Sequence, residues 1–224
     1  MTPALHRFGN SQSPVVTLDN VGGDASAIVE IAAALAPFPA KHGTYYPGLR
    51  RIITEADTAA HAYVMRLVEA ATPHLKGDFG LERFDLLEAS FSMVTTAPGA
   101  LIPPQRVPHF DSTDPGYIAL LHYLSDTEGT AFYRQRLTGI ETVSERNLPS
   151  FIHAARRESA ALTGYISGSN QHFEQIGQIA GTADRLAIYQ GCLLHSGIIP
   201  PRPAFSDDPR RGRLTANLFV RGYK

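Results

Sequence analysis

The sequence predicts an α+β fold in which two N-terminal helices lead into about eight short strands. Two observations carry that expectation. Apolar residues recur with a period near 3.6 between residues 24 and 72, and the period falls towards 2 from Phe84 onward. The chain also holds 19 glycines and 16 prolines in 224 residues, which supply the turns that a strand-rich protein needs.

Residues 1–23 are polar and Gly-rich, with one short apolar run, Val15-Val16-Thr17-Leu18, that reads as an edge strand. Asp24 then caps a helix whose stripe is Ile28, Ile31, Ala32 and Leu35, and Pro37 ends it. Tyr45-Tyr46-Pro47-Gly48-Leu49-Arg50 reads as an aromatic turn, either packed on the domain or forming the lip of a pocket. Ala59, Tyr63, Leu67 and Ala71 mark a second helix over 55–72, with Pro73 closing it. His61 on that helix is read as a packed or solvated residue.

Strands are predicted over 84–96, 107–112, 117–124, 130–136, 173–179, 185–190, 193–197 and 213–221. Residues 147–163 form an inserted helix, with Asn147 near its cap and Pro149 in its first turn. Residues 198–212 are a Pro- and Arg-rich loop without periodicity. One domain over 1–224 is expected. Its helical support spans 1–83, and its core spans 84–224 with an insertion at 137–172. The strand count and order suit a double-stranded β-helix, the cupin-like jelly roll.

The bulk numbers exclude several classes. A net charge of −1 and a pI near 6.8 give no electrostatic basis for binding nucleic acid or an anionic membrane. The lone Cys192 rules out an internal disulfide and fits a reducing compartment; it is read as a small buried hydrophobe. No stretch approaches 18 apolar residues, and the first residues lack a signal-peptide core, so a cytoplasmic protein is expected.

The chemistry concentrates in Val107-Pro108-His109-Phe110-Asp111 and, far downstream, in Leu193-Leu194-His195-Ser196-Gly197. On an extended strand residues i and i+2 face one side, so His109, Asp111 and Val107 share a face and Phe110 packs behind. Leu193, His195 and Gly197 share another. Two imidazoles and a carboxylate are the set that holds non-haem Fe(II) while leaving positions open. With nine histidines and 21 acidic residues, about one His-x-Asp/Glu match arises by chance, so the spacing needs its surroundings. The last strand alternates Arg213, Thr215, Asn217 and Phe219 against Leu214, Ala216, Leu218 and Val220. A polar inner face would let Arg213 fork onto a carboxylate; a surface pair with Asp207 or Asp208 is the alternative. Tyr123, buried on a central strand, needs a partner for its hydroxyl, either a carboxylate ligand or a backbone carbonyl.

In order, His109-x-Asp111, Tyr123-Leu124-Ser125, Gly129-Thr130-Ala131-Phe132, His195 and Arg213-x-Thr215 resemble the Fe(II)- and 2-oxoglutarate-dependent dioxygenases, the prolyl-hydroxylase-like branch above all. Tyr46-Pro47-Gly48, Pro108-His109-x-Asp111 and Gly129-Thr130-x-Phe132-Tyr133-Arg134 are also similar to a small uncharacterised bacterial group on that fold. The likeness covers roughly residues 84–221. It implies His109, Asp111 and His195 as iron ligands and Arg213 on the distal carboxylate of 2-oxoglutarate, with Thr215 and Tyr123 as weaker candidates for the same ligand. The wide gap after His195 leaves Arg211 and Arg202 as alternatives to Arg213. It further implies O2 as co-reactant, a small-molecule or peptidyl substrate, and lids at 198–212 and 137–172. Arg202, Arg210 and Arg211 are read either as contacts to an anionic group or as a solvated loop balanced by Asp207 and Asp208. Two rival readings share the scaffold: a cupin-like metalloprotein of another reaction class, and a non-catalytic accessory protein.

Overall fold

The computed structural model describes residues 2–39, 45–200 and 205–224. Ten strands and three helices are present among them: β1 (Thr2–Phe8), β2 (Ser13–Asp19), α1 (Ala25–Ala34), β3 (Gly48–Ile52), α2 (Thr58–Gly77), β4 (Arg83–Val94), β5 (Tyr117–Tyr123), β6 (Thr127–Gln135), α3 (Leu148–Ala161), β7 (Phe173–Gly181), β8 (Arg185–Gln190), β9 (His195–Gly197) and β10 (Leu214–Tyr223). They form an antiparallel seven-stranded sheet, ordered β1-β2-β8-β5-β10-β4-β3, and a three-stranded sheet, β7-β6-β9.

The helices lie where their stripes demand. Asp24 accepts from the backbone N–H groups of Ser26 and Ala27 and starts α1. The buried positions of α2, from Ala60 and Tyr63 to Ala71 and Leu75, cover the outer face of the large sheet. From β10 that face contributes Leu214, Ala216, Leu218 and Val220, each fully buried. α3 covers the outer face of the small sheet through Phe151 and Ala155, against Ala131, Tyr133 and Phe173. A third cluster, including Tyr123, Phe132, Tyr189 and Leu193, fills the space between the sheets. The jelly roll and the inserted helix are as the sequence predicts.

Four expectations change. The run Val15–Leu18 is an inner strand, because β1 pairs outside it. Residues 48–52, read as part of a turn, form β3 at the opposite edge. Gly48 permits this, since a Cβ there would overlap the carbonyl of Met93. Helix α2 runs on through Pro73 to Gly77, because its apolar stripe continues to Leu75 and Pro73 itself is exposed. Residues 107–112 are not a regular strand. Only His109 bridges to His195, and Val107 packs with Phe110 in the α3 cluster instead of sharing the face of His109.

Candidate metal and cosubstrate site

Two chain segments build the site. His195 leads β9, whose register with β6 sets it opposite Phe132 on the inner face. His109 is fixed beside it by a reciprocal backbone pair, N–H to carbonyl in each direction at 2.9 Å. The backbone N–H of Asp111 donates to the Gly191 carbonyl at 2.7 Å, which anchors the turn after β8 to the same segment. Phe110 turns away and meets Phe151 edge-on.

The three side chains converge. One ligand atom from each of His109, Asp111 and His195 lies within 4.8 Å of the others. His109 Nε2 is 3.9 Å from Asp111 Oδ1, and His195 Nε2 is 3.7 Å from Asp111 Oδ2. Bonds of a first-row metal, about 2.0–2.2 Å, place neighbouring ligand atoms roughly 3 Å apart, so small side-chain adjustments close the set around one ion. His195 Nδ1 lies 2.8 Å from the Leu193 carbonyl, which can only accept. The proton is therefore on Nδ1 and the lone pair on Nε2, facing Asp111.

Electrostatics favour the same arrangement. Burial pushes His195 down to about 4, so its ring is neutral near pH 7. His109 is also held low, by burial and by the neighbouring His195, against the pull of Asp111. Half of the His109 side chain stays open to solvent. Burial raises the Asp111 carboxyl, while His109 and Arg50 oppose it. A carboxylate in such a place gains from a cation.

Arg213 precedes β10 and reaches across to the small sheet, where Nη2 donates to the Gly129 carbonyl at 3.2 Å. Its Nε is buried and has no partner among the described residues. The surface pairing with Asp207 or Asp208 does not form. A buried orphan donor on a guanidinium fits a carboxylate ligand, so the residues present suit 2-oxoglutarate as well as the metal. Thr215, Ser92 and Tyr123 share one cross-strand row beside it. The Tyr123 hydroxyl is already engaged with Thr130 Oγ1 at 2.6 Å.

Other candidates separate from the site. Arg211 is exposed and borders the same cleft as Arg213. Arg202 lies outside the described residues. Arg210 pairs with Glu30 on the surface. Cys192 is buried, with its thiol pushed up to about 11, as expected of a packing residue. Sequence reasoning missed Tyr189, whose ring meets His195 edge-on at 4.8 Å, and the pair Arg50–Glu88. For Arg50 the lip reading of residues 45–50 was the only signal.

A family model described as "Family of unknown function (DUF6445)" matches residues 1–220. No curated protein matches the chain. Among solved structures, HygX from Streptomyces hygroscopicus with nickel and 2-oxoglutarate bound is 14% identical, with 95% of this chain and 84% of that one covered and a TM-score of 0.55. SnoN, a non-heme alpha ketoglutarate dependent epimerase from nogalamycin biosynthesis, gives 13%, 95%, 79% and 0.52 in the same order. SnoK, the carbocyclase of that biosynthesis, gives 9%, 95%, 81% and 0.55. At these identities the likeness establishes a shared fold, that of the non-haem iron and 2-oxoglutarate-dependent enzymes. Among the described residues no helix is long and apolar enough to cross a membrane.

Proposed function

The chain belongs to the DUF6445 family of unknown function and has the fold of 2-oxoglutarate-dependent enzymes, and from that premise we propose that it is an Fe(II)- and 2-oxoglutarate-dependent oxygenase. The reaction is hydroxylation of a small-molecule or peptidyl substrate. The observation that carries this reading is the convergence of His109, Asp111 and His195 from two distant segments onto one point.

When bound, iron with 2-oxoglutarate and O2 would supply the oxidising power for hydroxylation of a substrate C–H bond, with succinate and CO2 as co-products. The chain's own part is binding, orientation and exclusion of water. His109, Asp111 and His195 would hold the ion, and the Leu193 carbonyl fixes the His195 ring so that Nε2 faces Asp111. Arg213 would neutralise the distal carboxylate, with Thr215 at its side and Tyr123 acting through Thr130. Tyr189, Phe132 and Leu193 are buried between the sheets and keep water from the inner wall.

Anaerobic titration with Fe(II) and then 2-oxoglutarate tests the proposal. The expected result is a visible metal-to-ligand charge-transfer band in the wild-type protein. His195→Ala should bind no stoichiometric Fe(II). Arg213→Ala should keep Fe(II) and lose about ten- to hundredfold in 2-oxoglutarate affinity, the worth of one to two charge-assisted hydrogen bonds. Wild-type protein that binds Fe(II) and shows no band belongs to another reaction class.

A further inference from the structure

The inner face of the large sheet carries a charged pair, Arg50 and Glu88, that the chemistry above leaves unused. Register sets Arg50, Ser92, Thr215 and Tyr123 in one row and Glu88, Phe219, Ala119 and Tyr189 in another. Arg50 links the rows: its Nη2 donates to Glu88 Oε1 at 2.6 Å and to Ser90 Oγ at 2.8 Å. The two side chains are 16% and 34% exposed, so the pair is neither sealed in a core nor loose in solvent. The Glu88 row ends at Tyr189, which abuts His195. Tyr117 lies against Asp111, since a Cβ on Gly191 would touch both.

A half-buried ion pair adds little to stability, because desolvation offsets most of the attraction. On a wall facing a reaction site it does something else. It presents one positive and one negative group side by side, with Glu88 Oε2 and the Arg50 Nη1 and Nε donors not engaged by any described residue. A ligand with a single charge would be attracted by one wall group and repelled by the other, whereas a zwitterion of reversed order meets both favourably.

We infer that Arg50 and Glu88 form the head-group subsite for a free α-amino acid, its carboxylate on Arg50 and its ammonium on Glu88. Glu88 on β4 and Tyr189 on β8, the residue that abuts His195, are three strand spacings apart in one row, about 14 Å of backbone, so the amino acid's side chain extends along that row towards the metal. A long side chain is therefore preferred, with the reacting carbon several bonds from Cα. This inference rests on the oxygenase reading.

The test is calorimetric titration of the full chain, loaded with Ni(II) and 2-oxoglutarate so that no turnover occurs, against the free L-amino acids. At least one long-chain free amino acid should bind, about tenfold or more tighter than its N-acetyl and its amide derivatives. Arg50→Gln and Glu88→Gln should each weaken it by a similar factor, and Arg50→Lys by less. If no free amino acid binds to protein that gives the charge-transfer band, or if the N-acetyl derivative binds equally well, the subsite is wrong and the oxygenase reading stands. Absence of the band itself overturns both. The comparison of derivatives uses only the wild-type protein and does not depend on how the variants fold.

Discussion

Glu141 shows how one side chain couples the two sheets. Its carboxylate accepts from the backbone N–H groups of Asn10 and Ser11, both at 2.9 Å, from the Ser11 hydroxyl and from Arg134. Burial pushes its pKa up, but those bonds outweigh it and hold the carboxyl at about 2, below the usual 4.5. The folded pKa is depressed, so the stability it contributes is fully present above about 4.5 and is lost as pH falls towards 2. A shift of that size is worth roughly 3 kcal/mol. Glu141→Gln should therefore lower the urea-unfolding free energy by about 2–4 kcal/mol at pH 7, and the gap should narrow at pH 3. A constant gap between the two pH values would mean that charge has no part in it. Nothing in the sequence marks Glu141, because Asn10 and Ser11, whose backbone N–H groups it accepts from, lie 131 and 130 residues away. The triad was legible for the opposite reason: His109 and Asp111 keep their meaning within a span of three residues, and His195 had a recognisable order relative to them.

Periodicity exposes an element when its burial is one-sided, and hides it otherwise. The α2 stripe and the alternation of β10 face a core on one side only, and both were legible. β3 was not, since Gly48 to Ile52 are all half-buried and two adjacent arginines break any alternation. The end of α2 was misjudged at Pro73 because proline usually stops a helix by removing a hydrogen bond and crowding the preceding turn. Here the packing of Leu75 against the sheet outweighs that local cost. The cost is still present, and Pro73 is exposed, so alanine would leave no cavity. Pro73→Ala should stabilise the protein by about 1–3 kcal/mol in denaturant unfolding, with the slope unchanged. Lower stability would show that the proline ring fits the helix at that point, or restrains the unfolded chain more than it strains the fold.

At the scale of the molecule, the small sheet is the weaker half. Its β9 has three residues, and segment 107–111 joins it by the single His109–His195 bridge. The large sheet, by contrast, is seven strands wide and backed by α1 and α2. Asp111 is tied to the turn after β8, so an ion held by the triad would staple β9, segment 107–111 and the β8 end of the large sheet together. A ligand that binds only the folded state stabilises it by mass action, about 2.7 kcal/mol at a concentration a hundredfold above its Kd. For a chain of this size that corresponds to a rise in Tm of roughly 5–10 °C. Ni(II), which serves without O2 chemistry, should produce that rise in scanning calorimetry, and EDTA should reverse it. His195→Ala and Asp111→Ala should both remove the response; Asp111→Ala should unfold near the Tm of metal-free wild type, whereas His195→Ala should unfold lower, because its buried ring packs on His109 and Tyr189. An equal rise in His195→Ala would place the ion elsewhere and detach the metal from the junction of the two sheets.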